Sequence, residues 1–152
     1  MSDVLVLQDK QVRLGVYRAF AEQGQSPRPG DLAKELDLSE DRVRESLARL
    51  DAQHALLLQP DGESVMMAWP FSGIETPFGV RHADGRHWYA NCAWDMLGIP
   101  AMLGVDALLD GRCAQSGAPM RMAIRDGRPS EFWGVVHFLL PFTQWYKDVE
   151  YT

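Results

Sequence analysis

Apolar residues first recur at helical spacing. Between Asp9 and Gln23, Val12, Val16, Ala19 and Phe20 fall on one face, which predicts an amphipathic helix. Ser26-Pro27-Arg28-Pro29-Gly30 breaks it. A short second helix is expected to carry Leu32, Ala33 and Leu36, and Asp37-Leu38-Ser39 makes a tight turn. Ser39 is a good N-cap for a third helix bearing Val43, Leu47 and Leu50, although Arg42 leaves the capping box incomplete. Ala55 to Leu58 and Ser64 to Trp69 flank Gln59-Pro60-Asp61-Gly62, whose Asp-Gly pair predicts a hairpin. Three helices, a sharp turn and a hairpin follow the order of a winged helix-turn-helix.

The pattern changes near Phe71-Ser72-Gly73, where a boundary is expected between residues 1–72 and 73–152. Ile74 to Val80 reads as extended, Asp84-Gly85-Arg86 as a turn, and His87 to Met96 as a helix interrupted or kinked at Leu97-Gly98-Ile99-Pro100. Met120, Met122 and Ile124 alternate with Arg121 and Ala123, as a strand does, and Asp126-Gly127 is a turn. Val135 to Leu140 reads as a buried strand closed by Pro141, followed by a short segment at 145–149. The expected class is α+β: a winged-helix-like region, then a mixed domain with an antiparallel sheet and a cysteine-bearing helix.

Length and composition fit such a domain. A chain of 152 residues buries roughly 70% of its unfolded surface. With 46% hydrophobic and 24% charged residues it is ordinary globular material. No apolar run approaches the ~20 residues that span a membrane, and the N-terminus lacks a signal-peptide pattern. A cytoplasmic protein with no membrane partner is expected. The net charge of −6 is a poor match to nucleic acid. Residues 1–76 hold 8 Lys and Arg against 13 Asp and Glu, and the third helix is neutral, so the helical region is expected to be a platform rather than a DNA reader.

Two cysteines, Cys92 and Cys113, are too few for a disulfide scaffold. On the expected helix, Cys92 and Asp95 lie three apart and share a face. A thiolate is a soft nucleophile and soft-metal ligand, and a carboxylic acid can move a proton. A cysteine on an amphipathic helix is more often a packing residue, and its neighbouring aspartate a solvated one. Trp88, Trp94 and Trp133 are expected near Cys92 as shields against water. His137 in its strand reads as a hydrogen-bonded structural residue. His82 and His87 flank a turn without a further ligand at metal spacing, so no zinc site is expected.

The run Trp88-Tyr89-Ala90-Asn91-Cys92-Ala93-Trp94-Asp95, with Gly98-Ile99-Pro100-Ala101 after it, closely resembles the core motif of the alkylmercury (organomercurial) lyases. Cys113-Ala114-Gln115-Ser116-Gly117-Ala118-Pro119 is similar to that family's Cys-x-x-(Ser/Thr)-Gly-x-Pro segment, and Val136-His137-Phe138 to its Val-His-Phe strand. Members tend to carry a winged-helix-like region ahead of the catalytic part, which residues 9–70 fit. The resemblance implies protonolysis of a carbon–mercury bond. Two thiolates capture the metal, and an aspartate protonates the departing carbon. Cys92 resembles the first catalytic cysteine, Asp95 the acid, and Cys113 a further cysteine regarded as structural, which would serve as a metal ligand only if it lay near Cys92. The implied partner is a small organometallic or other small organic substrate. No cofactor is implied, and a homodimer is compatible.

The sequence departs from the family at one point. The typical second catalytic cysteine lies just upstream of Val-His-Phe, where this chain reads Phe132-Trp133-Gly134-Val135, and the equivalent position is Gly134. Many relatives continue beyond the segment resembling Tyr151-Thr152, often with a cysteine next, so that thiol is expected to be missing too. The leading expectation is a lyase-like enzyme that is impaired or repurposed, with Gly134 beside the substrate. The rivals are a homologue that catalyses another lyase-type reaction or binds soft metal ions, and a winged-helix sensor of thiol chemistry or metal.

Overall fold

The computed structural model describes residues 3–113, 115–130, 134–138 and 140–147. Three helices open the chain: α1 (Asp3–Gln23), α2 (Pro29–Leu36) and α3 (Glu40–Ala52). Pro29 begins α2, where its missing N–H costs nothing. Ser39 caps α3, its hydroxyl accepting from Arg42 N at 3.4 Å. The faces expected to be apolar are the buried ones. Val12, Val16, Phe20, Leu32, Val43 and Leu47 are all essentially inaccessible to solvent.

A polar network joins α1 to α3 inside this packing. Arg49 donates to both carboxylate oxygens of Asp9, at 2.8 to 3.2 Å, and to Ser46 Oγ at 2.9 Å. Gln8 Nε2 donates to the same Ser46 hydroxyl and to Arg42 O. Burial pushes the Asp9 carboxyl up, but the bonds from Arg49 and Ser46 outweigh it and hold it below its usual range. On the outer side of α3, Arg44 pairs with Glu40, Asp41 and Glu63. Two of the arginines of α3 are therefore engaged by carboxylates.

The remaining described residues build one antiparallel sheet and one further α-helix. The strands are β1 (Leu57–Leu58), β2 (Val65–Ala68), β3 (Phe71–Ser72), β4 (Gly79–Arg81), β5 (His87–Ala90), β6 (Ala107–Arg112), β7 (Pro119–Arg125) and β8 (Arg128–Pro129). Their spatial order is β1-β2-β3-β5-β4-β6-β7-β8. The expected hairpin is β1–β2, and the Asp126-Gly127 turn joins β7 to β8. β3 pairs with β2 through Ala68–Phe71 and with β5 through Phe71–Ala90, so the sheet runs unbroken across the sequence boundary at 72/73. One buried cluster likewise extends from Val12 to Ile124.

Several expectations need correction. His87–Ala90 is a strand, and the helix α4 (Ala93–Leu103) starts six residues later than expected. Trp88 and Ala90 are buried while His87 and Tyr89 are half-buried, which is strand alternation. Pro100 does not interrupt α4, which continues to Leu103 and ends at Gly104 in the left-handed conformation, φ 64°. The extended stretch before Arg81 is a strand only from Gly79. The buried strand expected at 135–140 is absent from its described residues. Residues 134–138 are irregular, Val135 is 91% exposed, and His137 is exposed. Among the described residues β7 is bordered on that side by the two-residue β8, which ends the sheet. A 3-10 helix covers Phe142–Lys147.

Asp9 binds fewer protons when folded than when unfolded. Its contribution is therefore complete above the ordinary carboxyl pKa of about 3.9 and is lost as pH falls below that value. Asp9→Asn is expected to lower stability at pH 7 by about 2 kcal/mol, since it leaves the Arg49 guanidinium half-buried beside a neutral amide. It should also flatten the acid limb. Denaturant unfolding at pH 7 and pH 3 measures both effects.

Candidate active site

The site forms where β5 turns directly into α4. Cys92 is the N-cap of α4, with extended backbone, and its sulfur accepts from the Asp95 amide N–H at 3.5 Å. The spacing of three thus reflects a cap and the third helical residue, not two residues of one helical turn. Sulfur is an uncommon cap acceptor, which is why the sequence signals no helix start here. Asp95 lies in the first turn, where the helix dipole favours its negative form.

Asn91 braces the carboxyl group. Its Nδ2 donates at 3.2 Å to Asp95 Oδ2 and at 3.2 Å to the Phe71 carbonyl on β3. Because a carbonyl only accepts, that contact fixes which end of the amide faces Asp95. Burial pushes the Asp95 carboxyl above its ordinary range, and bonds from Asn91 and Cys92 oppose this only in part. Burial also pushes the Cys92 thiol up. The Asp95 amide favours the thiolate, while the Asp95 carboxylate disfavours it by charge and by accepting from the thiol. Each group thus opposes negative charge on the other.

The other expected site residues scatter. Trp88 belongs to the core: it is fully buried, and its indole N–H donates at 2.7 Å to the Phe20 carbonyl of α1. Trp94 is 58% exposed and meets Phe138 edge-on with ring centroids 6.1 Å apart, and Phe138 stacks on Trp145 at 5.3 Å. These rings lay the segment after residue 134 against the start of α4. Gly134 lines a small apolar cavity together with Ala93, Met96 and Leu97 of α4. Trp133 lies outside the described residues. Asn91 was missed by sequence reasoning; its place beside Cys92 in the motif was the available signal.

Cys113 sits at the end of β6 in a tight turn closed by Gly117 N donating to Cys113 O at 2.8 Å. The Ser116 hydroxyl, with the backbone N–H groups of Ser116 and Gln115, pulls its thiol below the ordinary value. Both cysteines are free thiols. Among the described residues no three His, Cys, Asp or Glu side chains converge on a common metal position, and no helix is long and apolar enough to cross a membrane.

A capping thiol beside a desolvated carboxyl, on an antiparallel sheet behind a three-helix layer, defines a thiol–carboxylate site. The alkylmercury lyase (MerB) family model matches residues 71–152, and the chain belongs to that family. Among solved structures, the mercury-bound form of MerB2 is similar, with a TM-score of 0.62 and 20% sequence identity. The alignment covers 82% of this chain and 66% of that one, so this chain spans just under two thirds of the length of that protein. No curated protein matches the sequence.

The opposed acidities set an order of reaction. The sequence motif centres on Cys92. In the folded chain at pH 7.5, Cys113 is expected instead to alkylate several-fold faster than Cys92. Limiting iodoacetamide followed by peptide mapping checks this. Asp95→Asn removes the neighbouring charge and should speed Cys92 while leaving Cys113 unchanged.

Proposed function

We propose that this chain captures an organomercurial through Cys92 and protonates its carbon from Asp95. The observation that carries the reading is the Cys92 sulfur capping α4 on the Asp95 amide, with the desolvated Asp95 carboxyl held beside it by Asn91. Family membership and the likeness to a protein described as mercury-bound MerB2 support it. The sulfur forms a bond to mercury and displaces the ligand opposite carbon. The thiol proton passes to the Asp95 carboxylate. The resulting acid delivers that proton to carbon, the carbon–mercury electron pair becomes the new carbon–hydrogen bond, and Hg(II) stays on sulfur. A soft metal favours this order, because mercury competes with a proton for sulfur far better than for oxygen. A desolvated carboxyl is a stronger claimant for the thiol proton than an exposed one.

Substrate contact by Trp94 and Gly134 belongs to this proposal, as does a second contact from Trp133. Capture is proposed to outrun cleavage. A second thiolate would add electron density to the carbon–mercury bond and hold the product ion, and Gly134 offers only backbone at the position that resembles the family's second cysteine. Cys113 supplies that ligand only if it comes within reach of Cys92. Each 1.4 kcal/mol lost from transition-state stabilisation costs about tenfold in rate.

A cytoplasmic protein acting on a small molecule is the setting proposed. The engagement of Arg44 and Arg49 by carboxylates, with the acidic helical region, supports a platform role over DNA reading.

Purified protein incubated with methylmercury and followed by methane release is expected to turn over slowly. Cys92→Ser should abolish mercury binding, and Asp95→Asn should keep binding while lowering release by about a hundredfold or more. Gly134→Cys should raise release by at least about tenfold. Rapid release by the parent chain would overturn the impairment, and unchanged release in Asp95→Asn would overturn the assignment of the acid.

A further inference from the structure

We infer that the thioether sulfurs of Met96, Met120 and Met122 form a soft-metal site, one helical turn from Cys92, for a singly charged soft cation such as Ag(I), Cu(I) or thiolate-bound mercury. The mercury case rests on the lyase reading; the thioether site does not. Met96 lies on α4, and its amide N–H donates to the Cys92 carbonyl at 2.9 Å. Met120 and Met122 lie on β7, where alternation turns them, with Ile124, toward the core. All three line one cavity of about 200 Å³ between α4 and β7. Two of them meet at Gly111, the cross-strand partner of Met120. A side-chain carbon on Gly111 would lie 3.3 Å from the Met120 methyl carbon and 3.6 Å from that of Met96. The bare glycine leaves the room in which these thioethers come together.

Methionine in a core is commonly a gap filler. Two features favour a ligand role here. A flexible side chain recruited to fill a gap closes it, yet three of the chain's seven methionines surround a space that stays open. The lining also offers a guest little besides sulfur. Arg121 pairs with Asp110 at 3.2 Å and is largely exposed, and Ser130 Oγ accepts from Ala123 N at 3.0 Å. A thioether is a soft, neutral ligand, which suits a thiophilic cation and rejects magnesium and calcium, since these take oxygen ligands. No carboxylate stands in the walls, so the cavity suits a single positive charge and not a bare divalent ion. Mercury that keeps the Cys92 thiolate after losing its carbon carries one such charge. The thioethers then supply part of what a second thiolate would, with weaker electron donation.

The test uses the full chain with Cys92→Ser and Cys113→Ser, ¹³C-labelled methionine methyl groups, and silver nitrate in chloride-free buffer as the probe. One equivalent of Ag(I) is expected to shift the Met96, Met120 and Met122 signals together and to leave the exposed Met102 in place. Leucine keeps the bulk and apolarity of methionine but removes the sulfur. Met96→Leu, Met120→Leu and Met122→Leu should each weaken silver binding by about tenfold or more. A larger shift at Met102 than at the three overturns the inference, as does undiminished affinity in the folded leucine variants. With Cys92 restored, one equivalent of mercuric nitrate should shift the same three signals. If silver shifts them and mercury does not, the thioether site stands and mercury is struck from its guests. If silver binds as expected but the parent cleaves no organomercurial, the site stands and the lyase reading fails. If cleavage occurs but silver leaves the three signals in place, the reading stands and the site fails.

Discussion

The two-residue strand β3 holds the molecule together. Phe71 pairs through its backbone with Ala68 on one side and Ala90 on the other, joining the hairpin to the rest of the sheet. Its ring stacks on Phe20 of α1 with centroids 5.3 Å apart and meets Tyr17 edge-on at 6.3 Å. Its carbonyl accepts from Asn91, which in turn holds Asp95. Helical layer, sheet and candidate site therefore share one residue. Burial of such a ring is worth about 2 kcal/mol by area alone, and its stacking adds up to roughly another kcal/mol. The consequence for function is geometric: the packing of α1 on the sheet sets where the site's carboxyl points.

The same logic explains why α1 ends where it does. Gly24 has φ 72°, and a side-chain carbon there would lie 2.0 Å from the His87 carbonyl. Only glycine permits this close approach of α1's exit to β5. Immediately beyond, Trp88 donates to the Phe20 carbonyl, and Arg86 lies over the Trp88 ring at 5.3 Å. The strand that delivers Cys92 is thus clamped to the helical layer from both its backbone and its side chains. A platform that only braces a strand needs no charge complementarity to nucleic acid, which agrees with carboxylates engaging Arg44 and Arg49 of α3.

The helical half was legible because its signals are redundant. Val12, Val16 and Phe20 repeat at helical spacing, breakers separate the helices, and Ser39 is a preferred cap. The β5–α4 junction lacked that redundancy. His87 to Leu97 contains no glycine or proline, its apolar residues fit either period over so short a span, and a cysteine stands at the cap. The motif nevertheless singled out two residues that lie together, because a spacing of three joins Cys92 and Asp95 across a cap as well as along a helix. Val135 to Phe138 misled for the opposite reason. β-branched composition describes what fits a sheet, but a strand also needs a free neighbour, and residue types do not report one. Trp88 misled because an aromatic residue beside a reactive cysteine can face either side of its strand, and here the alternation turns it into the core.

The chemistry follows from one energetic conflict. Low-dielectric surroundings oppose charge on Cys92 and on Asp95 alike, and two adjacent anions would be worse than either alone. Both groups are therefore held toward their protonated forms. A hard electrophile gains little from such a site, since the sulfur is not a ready thiolate. A soft cation changes the balance: it bonds sulfur more strongly than the proton does, and the displaced proton has the Asp95 carboxyl beside it. Metal capture and arming of the acid thus become one event. Cys113, exposed to a hydroxyl and two amide donors, has no carboxyl partner of this kind among the interactions described for it. Its more acidic thiol makes it the better general nucleophile, while Cys92 keeps the desolvated carboxyl beside it. Reactivity toward alkylating agents and proximity to such a carboxyl are therefore separated between the two cysteines.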